Sequence, residues 1–152
     1  MEGASDTATL EGFLAPDTYR YGSGTSDLIV LEQAAARQRR LVDEAWATRS
    51  ELCEAKTPYE LLILASIIEK ETGVKSDRHL VSSVFNNRLR IGMPLQTDPT
   101  VIYGLGPMFS GNLTKKDLQR PGDWNTYLNK GLPPTPISMP SAASIEAAAH
   151  PE

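Results

Sequence analysis

The chain predicts a mainly α-helical domain, and three observations carry that expectation. Apolar residues recur at helical spacing in three long stretches, start and stop signals bracket those stretches, and strand signals are few. Val101-Ile102-Tyr103 is the nearest strand candidate, and a helical turn explains it as well. With 152 residues the chain is long enough for one domain with a real core.

Residues 1–27 carry loop chemistry, including Pro16-Asp17 and Tyr21-Gly22-Ser23-Gly24. An amphipathic helix follows Ser26 or Asp27, with Leu31, Ala34, Ala35, Leu41, Val42 and Ala45 on its inner face. A second helix begins after Thr57. Thr57 serves as N-cap, Pro58 takes the first helical position, Glu60 completes a capping box, and Gly73 supplies the stop. A third starts at Ser76 or Asp77, buries Leu80, Val81, Val84, Phe85 and Leu89, and ends at Gly92. Short helices follow from Asp98-Pro99 to Tyr103 and from Thr114 to Leu118. Leu132-Pro133-Pro134-Thr135-Pro136 is rigid and extended, and a last helix runs from Ser144 to Ala149.

Composition excludes several functions. The net charge of −4 and the lack of a Lys/Arg cluster argue against a nucleic-acid surface, and Arg37-Gln38-Arg39-Arg40 reads as a solvated helix face. Cys53 stands alone, so it forms no intramolecular disulfide, and with His79 and His150 it is too sparse for a zinc site. No metal or cofactor is expected. Lys70 as a pyridoxal-phosphate lysine is poorly supported, because no Gly-rich phosphate cradle accompanies it. No apolar run reaches membrane-spanning length.

Glu71 is the most informative residue. At about 100° per residue it falls roughly 20° from Leu64, whereas Glu69 points about 140° away, toward water. A carboxylate on an apolar stripe loses hydration unless it is protonated or paired. The pattern therefore predicts a buried Glu71 that keeps its proton near neutral pH, as a general acid requires. The bland reading is a solvated helix-end carboxylate, or one paired with Arg78.

Three polar clusters accompany this helix, each joining amide, hydroxyl or carboxylate groups to an aromatic ring, as sugar sites do. They are Glu11 to Tyr19, Gln96 to Gly104, and Trp124 to Tyr127. Singly they are weak: Asp17 and Asp98 also suit turns and caps, Tyr19 and Trp124 suit packing, and Tyr103 and Tyr127 suit either role.

The run Leu64-Ala65-Ser66-Ile67-Ile68-Glu69-Lys70-Glu71-Thr72 resembles the signature of the MltG (YceG-like) endolytic murein transglycosylases. So does Val84-Phe85-Asn86-Asn87-Arg88-Leu89-Arg90-Ile91-Gly92-Met93-Pro94-Leu95-Gln96-Thr97-Asp98-Pro99-Thr100 with the Val101-Ile102-Tyr103-Gly104 that follows. Gly12-Phe13-Leu14-Ala15-Pro16-Asp17-Thr18-Tyr19, Asn125-Thr126-Tyr127, Gly131-Leu132-Pro133-Pro134 and Ala147-Ala148-Ala149-His150-Pro151 are similar too, in family order across nearly the whole chain. Trp124 departs from a common tyrosine, and Thr135 from a common glycine.

The resemblance implies a lysozyme-like catalytic core, α+β in the full family domain, with one essential glutamate at the position of Glu71. It implies a lytic transglycosylase that cleaves between N-acetylmuramic acid and N-acetylglucosamine of peptidoglycan and leaves a 1,6-anhydromuramoyl end. Gln96, Thr97, Asn125 and Tyr127 would hold sugar hydroxyls or N-acetyl groups, with Tyr103 lining the site. Glu11 is either a polar wall or a structural partner. The partners implied are glycan strands and, for the intact protein, peptidoglycan synthases. A hydrolytic muramidase and a non-catalytic glycan-binding module are the rival readings.

The resemblance also implies residues 1–152 as a truncated catalytic domain. The intact protein would add a cytoplasmic-membrane anchor holding that domain outside, a LysM-like domain and a strand-rich tail. On that reading the helix carrying Ala147, Ala148 and Ala149 should leave apolar surface open and invite self-association.

Overall fold

A computed structural model describes residues 27–72 and 77–152. Among them are six α-helices and no strand. The helices are α1 (Asp27–Ala47), α2 (Pro58–Glu71), α3 (Arg78–Ile91), α4 (Asp98–Leu105), α5 (Lys115–Leu118) and α6 (Ala142–Ala149). A 3₁₀ turn (Gly106–Met108) follows α4. The mainly α expectation holds for the described residues.

Helix α2 is the axis of the core. Leu61, Leu62, Ile63, Leu64, Ala65, Ser66, Ile67 and Ile68 are consecutively buried, so this helix has no wet side along eight residues. A helix that is apolar all round must be surrounded, and α1, α3, α4 and α6 all contact it. Each large aliphatic side chain buried there contributes roughly 1.5–3 kcal/mol. Ser66 is the polar exception. Its hydroxyl donates to the Ile63 carbonyl (2.6 Å) and accepts from the Ile137 amide (3.0 Å), while Ser138 Oγ donates to the Ser66 carbonyl (2.9 Å). These bonds lay the extended segment 132–141 along α2, with Pro133 and Pro136 buried.

The helix ends are built largely as their residues dictate. The Thr57 hydroxyl accepts from the Glu60 amide (3.1 Å), but the Glu60 carboxylate accepts from Lys56 N (3.0 Å) rather than closing the box on Thr57. Thr72 is the described C-cap of α2, and Gly73 lies outside the described residues. Gly92 ends α3 at φ +72°, the left-handed conformation glycine adopts without a Cβ clash. Thr114 and Asp117 form a full capping box on α5.

Three expectations about buried faces are corrected. On α1 the core side chains are Val30, Ala34, Gln38, Val42 and Ala45, and Leu31 is exposed. Gln38 occupies the seam because its amide donates to the Pro140 carbonyl (3.2 Å), while Arg37, Arg39 and Arg40 stay at the surface. On α3, Leu80 and Val84 are exposed and the inner face is Ser82, Phe85 and Asn86. Asn86 is fully used there: it accepts from Glu54 N (2.8 Å) and donates to the Ser82 carbonyl (2.9 Å). On α6, Ala147, Ala148 and Ala149 are fully buried against the rest of the core, so these three residues do not form the open apolar surface expected of them.

Candidate active site

Helix α2 leaves the core after Ile68, and its last turn meets two different surroundings. Glu71 is exposed. Glu69 is half-buried and accepts from Ser141 N (3.3 Å), Ser141 Oγ (3.2 Å) and Ser144 Oγ (2.5 Å), with Arg78 Nη2 at 3.5 Å. This reverses the expected placement of the two carboxylates. The angular argument assumes one apolar stripe, whereas α2 is covered on every side until it emerges. What neighbours the last turn then decides, and the N-terminus of α6 covers the Glu69 side.

Glu71 is nonetheless held. Thr97 Oγ1 donates to Glu71 Oε1 at 2.5 Å. Thr97 stands at the N-cap of α4 yet makes no capping bond, because its hydroxyl is directed to Glu71. The residue before it, Gln96, is exposed and adopts φ +53°. A non-glycine residue in the left-handed region costs about 1–2 kcal/mol and needs the surrounding structure to enforce it. Gln96 N donates to the Thr126 carbonyl (3.1 Å), and Thr97 N donates to Thr126 Oγ1 (3.1 Å), which supplies that enforcement. Thr100 Oγ1 and Thr126 Oγ1 share a further bond at 2.8 Å, and all three threonines are buried.

The second and third polar clusters therefore converge through Thr97, Thr100 and Thr126. Thr126 and Thr100 were not singled out from the sequence as site residues; the i, i+3 spacing of Thr97 and Thr100 was the available signal. At the outer edge the Tyr127 hydroxyl donates to Asp98 Oδ1. Burial first, then this bond and the negative charges of Asp98 and Glu71, push the Tyr127 hydroxyl up to about 12, with the Arg88 guanidinium opposing. Glu71, Asp98, Tyr127 and Arg88 thus share one electrostatic environment. Arg88 is itself anchored, with Nη1 donating to the Leu95 carbonyl at 2.5 Å.

The other expected site residues are placed as follows. Tyr103 packs near Trp124, ring centroids 6.0 Å apart and tilted 51°. Trp124 Nε1 donates to Thr135 Oγ1 (3.1 Å), which gives the threonine at that position a partner. Gly104 permits this packing, since a Cβ there would lie 3.0 Å from Trp124 Cβ. Asn125 is buried, its amide donates to the Leu118 (2.9 Å) and Arg120 (2.8 Å) carbonyls, and its oxygen accepts from Tyr127 N (2.9 Å). It holds the loop that presents Tyr127 and has no amide hydrogen left for a sugar. Glu11 lies outside the described residues.

A cavity of about 530 Å³ between α1 and α6 touches none of these residues. A smaller one of about 120 Å³ borders Trp124 and Asn125. Among the described residues no cluster of His, Cys, Asp and Glu could hold a metal, and no helix is long and apolar enough to cross a membrane.

The fold and site define a helical domain that presents a hydroxyl-held carboxylate at the end of its central helix. The chain belongs to the YceG-like family, whose model matches residues 2–152. It is 42% identical over 144 residues to the endolytic murein transglycosylase of Bacillus subtilis, covering 94% of this chain and 39% of that protein. It is 34% identical over 142 residues to the protein of the same name from Streptococcus pneumoniae, covering 90% of this chain and 25% of the relative. A crystal structure of a YceG-like protein from Listeria monocytogenes superposes with a TM-score of 0.78 at 41% identity, over 94% of this chain and 46% of that one. The chain spans less than half the length of each of these relatives.

Proposed function

We propose that the chain is the lysozyme-like catalytic part of a lytic transglycosylase acting on peptidoglycan, with Glu71 as its single catalytic acid and base. The observation that supports this most is the exposed Glu71 carboxylate, fixed by Thr97 and flanked by the Tyr127–Asp98 pair. A polymer substrate needs a reacting carboxylate that is accessible yet oriented, and the arrangement meets both needs.

In the first step Glu71, protonated, gives its proton to the glycosidic oxygen between N-acetylmuramic acid and N-acetylglucosamine. In the second step the Glu71 carboxylate takes the proton of the muramoyl C6 hydroxyl as that oxygen bonds to C1. The product is a 1,6-anhydromuramoyl end, and no water is consumed. Proximity of the C6 hydroxyl replaces the second carboxylate that a hydrolase needs for its water or nucleophile. Thr97 orients Glu71. Gln96 and the Tyr127–Asp98 pair contact sugar polar groups, and Tyr103 lines the site. In the intact, membrane-anchored protein this reaction ends glycan strands.

Incubating sacculi with the chain and with its Glu71→Gln variant tests the reading. Soluble fragments should be released by the first only. Release by both would remove Glu71 from the chemistry, and tight binding without release by the unaltered chain would favour a glycan-binding module.

A further inference from the structure

We propose that Glu69 is a positioning residue for Glu71: its carboxylate clamps the last turn of α2 to the start of α6 and to α3. This deepens the proposed function and rests on it for the kinetic part of its test.

The geometry is specific. Glu69 Oε1 faces the Ser141 amide at 3.3 Å, and Oε2 receives the hydroxyls of Ser141 and Ser144 at 3.2 and 2.5 Å. Arg78, the first residue of α3, reaches Oε2 with Nη2 at 3.5 Å and donates from Nε to Ser144 Oγ at 3.2 Å. One carboxylate therefore gathers three helices at the point where α2 ends. Both side chains of the ion pair are largely withdrawn from water, Arg78 at 13% and Glu69 at 23% exposure.

Among the described residues, little else fixes the last turn of α2. Its described C-cap is Thr72 in an extended conformation, whose amide and hydroxyl both return to the Ile68 carbonyl. Past Ile68 no α2 residue is fully buried. Among the described residues two side-chain anchors hold this turn, on opposite flanks: Glu69 to α6 and α3, and Glu71 to Thr97. The second anchor is the catalytic group itself, so its position depends on the first. Displacing a reacting group by about 1 Å can cost on the order of a hundredfold in rate.

Glu69→Gln tests this. A glutamine keeps the shape but loses the charge facing Arg78, and one end of its amide becomes a donor among donors. In the digestion of sacculi, kcat should fall about tenfold or more while KM stays within about twofold, in protein still folded at the assay temperature. By NMR, the cross-relaxation between the Thr97 methyl group and the Glu71 side chain should weaken. A role confined to stability predicts the reverse: a lower melting temperature, with kcat of the folded protein and the Thr97–Glu71 contact unchanged, and that result overturns the proposal. If Glu69→Gln does not fold, Ser144→Ala removes the shortest bond to Glu69, together with the bond Arg78 Nε donates to the same hydroxyl, and should give a smaller loss in the same two readouts; no loss in either is equally fatal. If the unaltered chain cleaves nothing, the transglycosylase reading fails while the NMR comparison still decides the positioning claim.

Discussion

Thr97 and Glu71 meet across 26 residues of chain in a 2.5 Å hydrogen bond that joins the start of α4 to the end of α2. The hydroxyl of an N-cap threonine normally accepts from its own helix. Here it donates to another helix's carboxylate, and α4 begins without a side-chain cap.

Replacing Thr97 by valine should therefore act on catalysis. Valine preserves the shape and the backbone bonds to Thr126 but removes the donor. A hydrogen bond to a charged group is worth roughly 1.5–3 kcal/mol, and 1.4 kcal/mol is about tenfold in rate. A fall in kcat of about ten- to a hundredfold is expected, with Thr97→Ser restoring most of it. Equal rates for the valine and serine variants would contradict the role.

Gln96 separates binding from stability. Glycine at this position relieves the left-handed backbone cost of about 1–2 kcal/mol but gives the unfolded chain about 0.5–1 kcal/mol more freedom. Gln96→Gly should leave the melting temperature equal or slightly higher while glycan binding weakens. A clear drop in melting temperature would show that the side chain is structural.

Tyr127 reports on Asp98. Its hydroxyl is pushed up to about 12 from the ordinary 10.0, so the folded protein holds this proton more tightly than the unfolded chain. The associated stability is complete below about pH 10 and is lost as pH rises through about 12. Asp98→Asn removes the charge and should move the Tyr127 titration downward, read as phenolate absorbance against a Tyr127→Phe control. An unshifted midpoint would mean that burial alone sets the value.

Ser66 tests the packing of segment 132–141. Ser66→Ala leaves the buried Ile137 amide without its acceptor, a cost of roughly 1–3 kcal/mol. Thermal unfolding should begin several degrees earlier, with catalytic constants of the folded protein unchanged. An unaltered melting curve would show that another group satisfies Ile137.

The helical frame was legible because its signals are local. A continuous apolar run from Leu61 to Ile68, Thr57-Pro58 before it, and Gly92 after Leu89 each dictate structure within a few residues. What misled were inferences from angle alone. A helical wheel for Glu71 and Glu69 presumes one wet side, and the emergence of α2 beside α6 inverts their exposure. Leu80 and Val84 fit an apolar stripe, yet α3 packs through Ser82 and Asn86, and the bond that Asn86 accepts from the distant Glu54 amide leaves no periodic trace. Asn125 shares the composition of a sugar site but is used up by carbonyls at 118 and 120. Such long-range polar pairings depend on which loop meets which, and residue type does not encode that.

In the proposed mechanism Glu71 alone serves both proton transfers, with the C6 hydroxyl as acceptor. Mass spectrometry of the glycan ends released from sacculi tests it most directly. The released glycan should carry 1,6-anhydromuramoyl ends, about 18 Da lighter than hydrolysed reducing ends, and the Glu71→Gln variant should release none. Reducing ends in place of anhydro ends would make the protein a muramidase with water as acceptor and contradict the single-residue mechanism.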